Sequence, residues 1–363
     1  MNADVYIYKS KSRDINLHTV LKHMHEQIFT KVQKFPYIVV KPNFLSVRRQ
    51  ISSTHPKTLE LLIKYLRRSY QGQIIIAEGS RVMQDAYTVF HLPKLEKKYN
   101  IRIVNTNSDD TTWSQFKGID QLGRIISIRY SDIVKNGYRI SLSVPKMHAN
   151  AGVTFSLKNM MGAIHPKDRR LMHGLSEVIS KDTMDILKSP WWEKDTFFGE
   201  LMSKVRRNFL LYFGGRLFLT QKELQVLMQN YHVLTYNLYK LSTVLYPHLS
   251  IIDAFEAMQD EGPWFGSPVT FEAIIASCNF KAADVSSAHM MGVQPSEMEF
   301  LYYLLQSTPT LPEKIRYPLL HIDAISQICK PHSNFSYQQF WKQDKQFKKI
   351  YKLFLTEIQK KNR

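Results

Sequence analysis

The chain has 363 residues, 44% of them apolar and 12% aromatic, which is enough to bury one large core or two smaller ones and excludes disorder except toward the ends. Its net charge of +18 points to an anionic partner, whether a small molecule, a nucleic acid or a membrane surface. The two cysteines, Cys278 and Cys329, lie far apart and exclude a disulfide framework and a cysteine-held zinc or iron–sulfur cluster.

The start, "MNADVYIYKSKSRD", lacks the apolar core of a signal peptide. The longest apolar stretch, "NFLLYFGGRLFLT", is broken by Gly214, Gly215 and Arg216, far short of the ~20 apolar residues a membrane span requires. A soluble, cytoplasmic protein is the expectation. Short β-branched runs then punctuate the chain: "YIVV" (37–40), "IIIA" (74–77), "IRIV" (101–104), "RISLSV" (139–144) and "LSIID" (249–253). Such short β-branched runs, bounded by turn or polar residues, read as buried strands of a largely parallel sheet. Helical patterns alternate with them. "HPKTLELLIKYLRRSY" places Pro56 at a first helical position and Leu59, Leu62, Ile63 and Leu66 on one stripe.

That alternation predicts an α/β fold: a largely parallel layered sheet with helices on both faces. The α/β body is expected over residues 1–180 and 247–336. It is interrupted by an aromatic-rich helical insertion or cap over 181–246, which includes the predicted helix "QKELQVLMQNYHVLTYNLYKLSTVL". Residues 337–363 form a basic tail with Phe347, Ile350, Tyr351 and Phe354 at helical spacing among lysines. Such a helix either solvates its lysines on its own domain or touches an anionic membrane surface or RNA.

In open α/β sheets ligands bind beyond the carboxyl ends of the strands. The residues just past each run here are polar and chemically able. "YIVV" leads into Lys41 and Asn43, "IIIA" into Glu78, Gly79 and Ser80, and "IRIV" into Asn105 and Asn107. "RISLSV" leads into Lys146 and His148, and "LSIID" ends on Asp253, a carboxylate that needs a partner or a cation. The stretch "VPKMHANAGVTFSLKNMMGAIHPKDRRLMHG" (144–174) is the densest. Lys146 and His148 are expected to reach the cleft from a strand, Gly152 to let the backbone pass the ligand closely, and Thr154 to begin a helix presenting Lys158 and Asn159. A loop then returns His173, with His165 and Lys167 exposed. A structural Lys158 would instead need a carboxylate, from Asp253 or Glu78. Asp284, in "AADVSSAHMMG", suits a helix N-cap as well as a ligand contact.

The blocks "VVKPNF", "IIIAEGS", "KMHANAGVTFSLKNMMGAIHPKDRRLMHG", "IIDAFEAMQDEGPWFG" and "AADVSSAHMMG" resemble, in order and over roughly residues 36–292, the domain of unknown function 362 family. The ferredoxin-like cysteine cluster carried by some relatives is absent, so an iron–sulfur role does not transfer. A more distant similarity joins His148, Ala151–Gly152, Lys158 and His173 to the central block of lactate-racemase-type proteins. That resemblance implies His148 as acid/base, Lys158 as the attachment lysine of a nickel-pincer nucleotide and His173 as a metal ligand. "VTFS" stands where those enzymes have a glycine-rich turn. On this reading nickel or another divalent metal is a candidate cofactor, with His173 and Asp253 as candidate ligands.

Three functions are open on this sequence. The first is a protein that binds, and as an enzyme converts, a small anionic ligand through Lys41, Asn43, Glu78, Lys146, Asn159 and Asp253, with His148, Lys158 and His173 as the chemical groups. The second is a nucleic-acid- or membrane-surface-binding protein without catalysis. The third is a racemase- or epimerase-like enzyme using a metal-nucleotide cofactor.

Overall fold

A computed structural model describes residues 3–80, 82–108, 112–176, 221–306 and 314–338, with isolated positions at 196–199, 201–202, 205, 352 and 356. The tail after Gln338 and most of the aromatic segment before Gln221 lie outside the described residues. Among the described residues no helix is long and apolar enough to cross a membrane.

The strands are β1 (Ala3–Asp4), β2 (Tyr6–Lys9), β3 (Ile38–Lys41), β4 (Ile74–Glu78), β5 (Arg102–Asn105), β6 (Trp113–Ile119), β7 (Ile125–Ser131), β8 (Tyr138–Ser143), β9 (Lys146–His148), β10 (Gly152–Thr154), β11 (Leu249–Gln259), β12 (Ser267–Ser277) and β13 (Ile315–Arg316). The five apolar runs become five consecutive parallel neighbours, in the order β11, β8, β3, β4, β5. β12 extends the sheet antiparallel to β11, and β2 pairs antiparallel with β12. β6 and β7 form a separate antiparallel hairpin.

The period-two pattern of the strands splits the core into two layers. Ile38, Val40, Ile74, Ile76, Ile140 and Leu142 face one side, where they pack with Leu17, Leu21, Leu59, Leu62, Ile63 and Leu66. Those partners come from helices Arg13–His23 and Pro56–Ser69; the second starts at Pro56 as its sequence predicts, capped by the His55 side chain. Val39, Ile75 and Ala77 face the other side. There they belong to one apolar cluster with Leu234, Leu238 and Leu241 of helix Gln221–Val244, Ala283 of helix Phe280–Met290 and Leu301 of helix Glu299–Gln306. The protein is therefore an α/β fold with helices on both faces of a mostly parallel sheet. The second half of the helix expected in the insertion, from Val233 to Leu245, is buried in the same apolar cluster as the sheet.

The strand order places the site. From β3 the chain steps outward to β4 and β5, then returns to the other side of β3 to lay down β8 and then β11. The direction of winding reverses between β3 and β8. At such a reversal the loops diverge and leave a crevice at the carboxyl ends.

Candidate functional site

A cavity of about 250 Å³ opens at that crevice. Lys41 and Asn43 reach it from β3, Glu78, Gly79 and Ser80 from β4, and Lys146 and His148 from β9, which comes after β8 and a two-residue break. Thr154, Lys158, Asn159, Arg169 and His173 close it from the next segment, and Pro263 and Trp264 from the turn after β11. Eight of the nine expected site residues thus line one space.

Asp253 does not line it. The run "LSIID" predicts a strand ending on Asp253, but β11 continues to Gln259, so Asp253 lies inside a strand. Its carboxylate accepts from Thr58 Oγ1 (2.6 Å) and pairs with Arg13 Nη1 (3.1 Å), both on helices packed against the sheet. It is a satisfied structural carboxylate.

The lysines differ in their partners. Lys41 and Glu78, 1% and 2% exposed, form an ion pair at 2.6 Å. Glu78 Oε1 also accepts from the Gly79 N–H at 2.7 Å. Burial pulls the pKa of Lys41 down and the Glu78 charge opposes that pull. Gly162 packs directly on this pair: a Cβ there would stand 2.6 Å from Lys41 Nζ and 2.7 Å from Glu78 Oε1. Lys146, 1% exposed, donates among the described residues only to neutral oxygens, Asn43 Oδ1 and the Ser52 carbonyl (2.7 Å). Burial first, and then the charges of Lys158 and Lys41, lower its pKa to about 7 despite Glu78. Lys158 reaches the cavity half-buried, and desolvation lowers its pKa to about 8. Its nitrogen lies 2.9 Å from His148 Nε2. Among the described residues no carboxylate pairs with Lys146 or Lys158, so neither Asp253 nor Glu78 supplies the partner a structural Lys158 would need.

Both histidines are held neutral. Desolvation, and next the Lys158 charge, push His148 well below the usual range. The same two causes bring His173 to about 4, although a hydrogen bond to Asn230 opposes them. His148 Nδ1 accepts the Asn150 backbone N–H at 2.9 Å.

A polar scaffold fixes these groups. Asn159 donates to the Lys41 carbonyl and to Ser141 Oγ, both at 3.0 Å, and accepts from Asn43 at 3.1 Å. Asp284, fully buried on helix Phe280–Met290, accepts from the backbone N–H groups of Ser156 (2.8 Å) and Leu157 (3.1 Å). It therefore caps the short helix Ser156–Asn159, which carries Lys158, rather than its own helix. Desolvation raises its pKa to about 6 against those hydrogen bonds.

Several local expectations are corrected. Thr154 ends strand β10 instead of opening the helix, because Phe155, at φ −134° and ψ −149°, separates the two elements. Gly152 has φ +72° as a close turn requires, but it packs on Met298 and not on the cavity. His165 is buried against Trp113, with ring centroids 4.6 Å apart, while Lys167 is exposed.

Arg169, Thr154 and Trp264 line the cavity without having been expected there, beside Ser80 just past the end of β4. The hydroxyls of Thr154 and Ser80 are buried and have no hydrogen-bond partner among the described residues, which leaves two polar atoms for a ligand. Among the described residues no three His, Cys, Asp or Glu side chains are placed to hold a metal ion. With Asp253 turned away, a protein-ligated metal on His173 and Asp253 does not fit this arrangement.

Residues 38–289 match the family model described as Domain of unknown function (DUF362). No curated protein matches the chain. Among solved structures, the lactate racemase apoprotein from Thermoanaerobacterium thermosaccharolyticum is similar over 78% of this chain and 55% of that one, at 11% identity and a TM-score of 0.42. The chain thus spans about half the length of that protein.

Proposed function

The chain belongs to the DUF362 family, and we propose that it binds a small anionic molecule in the crevice between β3 and β8 and moves protons on it with His148 and Lys158. One observation carries this reading: Lys146 and Lys158 face one cavity with no carboxylate partner among the described residues, while Lys41 occupies Glu78, the one carboxylate in the lining. Desolvating an ammonium costs several kcal/mol unless a counter-charge offsets it. An anion in the cavity supplies that counter-charge and restores the depressed lysine pKa values toward their ordinary range.

The ligand's carboxylate or phosphate lies against Lys146 and Arg169, with Thr154 and Ser80 donating to its remaining oxygens. His148 Nε2 and Lys158 Nζ lie 2.9 Å apart, so the protonation of one is coupled to that of the other. Lys158, with its pKa lowered to about 8, is partly free base near physiological pH, which suits abstraction and return of a proton. The tests are thermal shift with a panel of small mono- and dicarboxylates and phosphate, and the same panel on Lys146→Met and Lys158→Met. The expected result is stabilisation by at least one anion that both variants lose while keeping the wild-type far-UV spectrum. Equal stabilisation of wild type and both variants would remove the reading.

A further inference from the structure

Each of the three amines in the cavity has a different hydrogen-bond environment, and only one is built for an uncharged nitrogen. Lys41 faces a carboxylate, and Lys146 faces two oxygens that can only accept from it as arranged. Both surroundings suit an ammonium. Lys158 faces a ring nitrogen, and the state of that ring is fixed from its other side. The Asn150 N–H donates to His148 Nδ1, so Nδ1 carries no hydrogen and the proton of the neutral ring sits on Nε2. Nε2–H then points at Lys158 Nζ, 2.9 Å away. A hydrogen bond forms there only if the lysine offers a lone pair. An ammonium would set N–H against N–H.

From this arrangement we propose that Lys158 is a nucleophilic amine that forms a Schiff base with a carbonyl-bearing anion, a small 2-oxo acid or aldehyde acid, bound in the cavity. The proposal deepens the anion-site reading and rests on it. Lys146 and Arg169 hold the carboxylate, and rotation about the Cε–Nζ bond turns the Lys158 lone pair from His148 to the carbonyl carbon. The C–N bond forms from that lone pair. The carbonyl oxygen leaves as water with the two amine hydrogens, and no oxidant or reductant takes part. The lowered pKa of Lys158, about 8, agrees with this, since it leaves a larger share of the reactive, uncharged amine near neutral pH than an ordinary lysine has. His148 is a positioning residue in this step: its N–H favours the uncharged amine over the ammonium.

The test is reductive trapping. The full-length protein is incubated with pyruvate or, separately, glyoxylate, reduced with cyanoborohydride, and monitored by intact mass and peptide mapping across pH 6–10. The expected product is one reduced adduct per chain, located on Lys158 and absent from Lys158→Arg. In His148→Gln a side-chain oxygen that welcomes an ammonium replaces the N–H donor, so the pH of half-maximal trapping should rise by about one unit or more, a shift a merely structural histidine would not produce. Should Lys158→Arg fail to fold, the mapped position in the wild type decides alone. Adducts scattered over surface lysines with none on Lys158, or no adduct with either oxo acid, would overturn the proposal. Propionate, which has the charge but no carbonyl, separates the two levels. Its binding without any trapping removes the Schiff base and leaves the anion site, whereas failure of both removes the anion site as well.

Discussion

Replacing Glu78 by Gln tests how the crevice is held together. Glu78 Oε2 takes the Lys41 ammonium at 2.6 Å while Oε1 takes the Gly79 N–H at 2.7 Å. Whichever way a glutamine amide is turned, its NH2 faces one of those two donors. The pair is almost wholly buried, and breaking a buried pair from one side costs about 3–5 kcal/mol because a charge is left without a partner. Lys41 has one escape, which is to give up its proton. Discharging a lysine of ordinary pKa ~10.4 at pH 7 costs about 1.36 kcal/mol per pH unit, or roughly 4–5 kcal/mol. The two routes agree, and the expected loss at pH 7 is about 4 kcal/mol. The sign of the pH dependence comes from the second route. In the variant the folded state holds Lys41 neutral while the unfolded chain keeps its proton until about pH 10.4, so the unfolded state binds more protons and the deficit shrinks as pH rises. Urea unfolding of wild type and Glu78→Gln at pH 7 and pH 9.5 should show a difference falling from about 4 to about 1 kcal/mol. A deficit under about 1 kcal/mol at pH 7, or one that grows toward pH 9.5, would refute the assignment of this pair as the buried brace between β3 and β4.

The same geometry sets three further outcomes. Asp253→Ala strips the carboxylate from Arg13, which retains the Phe255 ring at 4.4 Å; it should cost about 3 kcal/mol in urea unfolding and leave anion affinity unchanged, and a binding defect in a folded variant would return Asp253 to the site. Gly152→Ala meets both a positive φ of +72° and the Met298 sulfur, so a loss of about 1–3 kcal/mol is expected, and an unchanged melting temperature would show that the turn relaxes freely. His173 should make the protein acid-sensitive. Its folded pKa, about 4, lies below the ordinary 6.5, so the unfolded state binds more protons between those values and stability falls as pH drops from 6.5 toward 4. The slope from this residue is at most about 1.4 kcal/mol per pH unit and is opposed by Asp284, so the measurement is the wild-type curve minus that of His173→Gln, and a flat difference would refute it.

The parallel sheet was legible because its central strands β3, β4 and β8 are buried throughout, and burial on both faces leaves short runs rich in β-branched and other apolar residues. The β6–β7 hairpin carries no such mark. Its strands are partly exposed, and "WSQFKGI" mixes polar and apolar positions. β9 and β10, at three residues each, are too short for any period to show. The site was legible in outline because strand ends converge wherever the winding of a parallel sheet reverses, so Lys41, Glu78, Lys146 and His148 could be grouped without knowing the strand order. Asp253 looks equivalent to them because an apolar run stops there, yet backbone pairing carries β11 on to Gln259, and the carboxylate turns toward Arg13 and Thr58. Arg169, at the start of the short helix Arg169–Met172, and Trp264, in the turn after β11, reach the cavity through tertiary closure that no local pattern encodes. The pairing of Lys158 with a histidine instead of a carboxylate was equally hidden, since it depends on the Asn150 N–H fixing the ring.

The anion site itself is tested most directly by its protons. At pH 8 Lys146, with its pKa near 7, is largely uncharged and Lys158, near 8, is half so, and a bound anion raises both. Titration calorimetry of the anion that gives the largest thermal shift, run at pH 8 in phosphate-free buffers of low and high ionisation enthalpy, should therefore show net proton uptake on binding. That uptake should be reduced in Lys146→Met and in Lys158→Met. Binding with no proton uptake, or with the same uptake in both variants, would contradict the claim that these two lysines are the counter-charge the ligand meets.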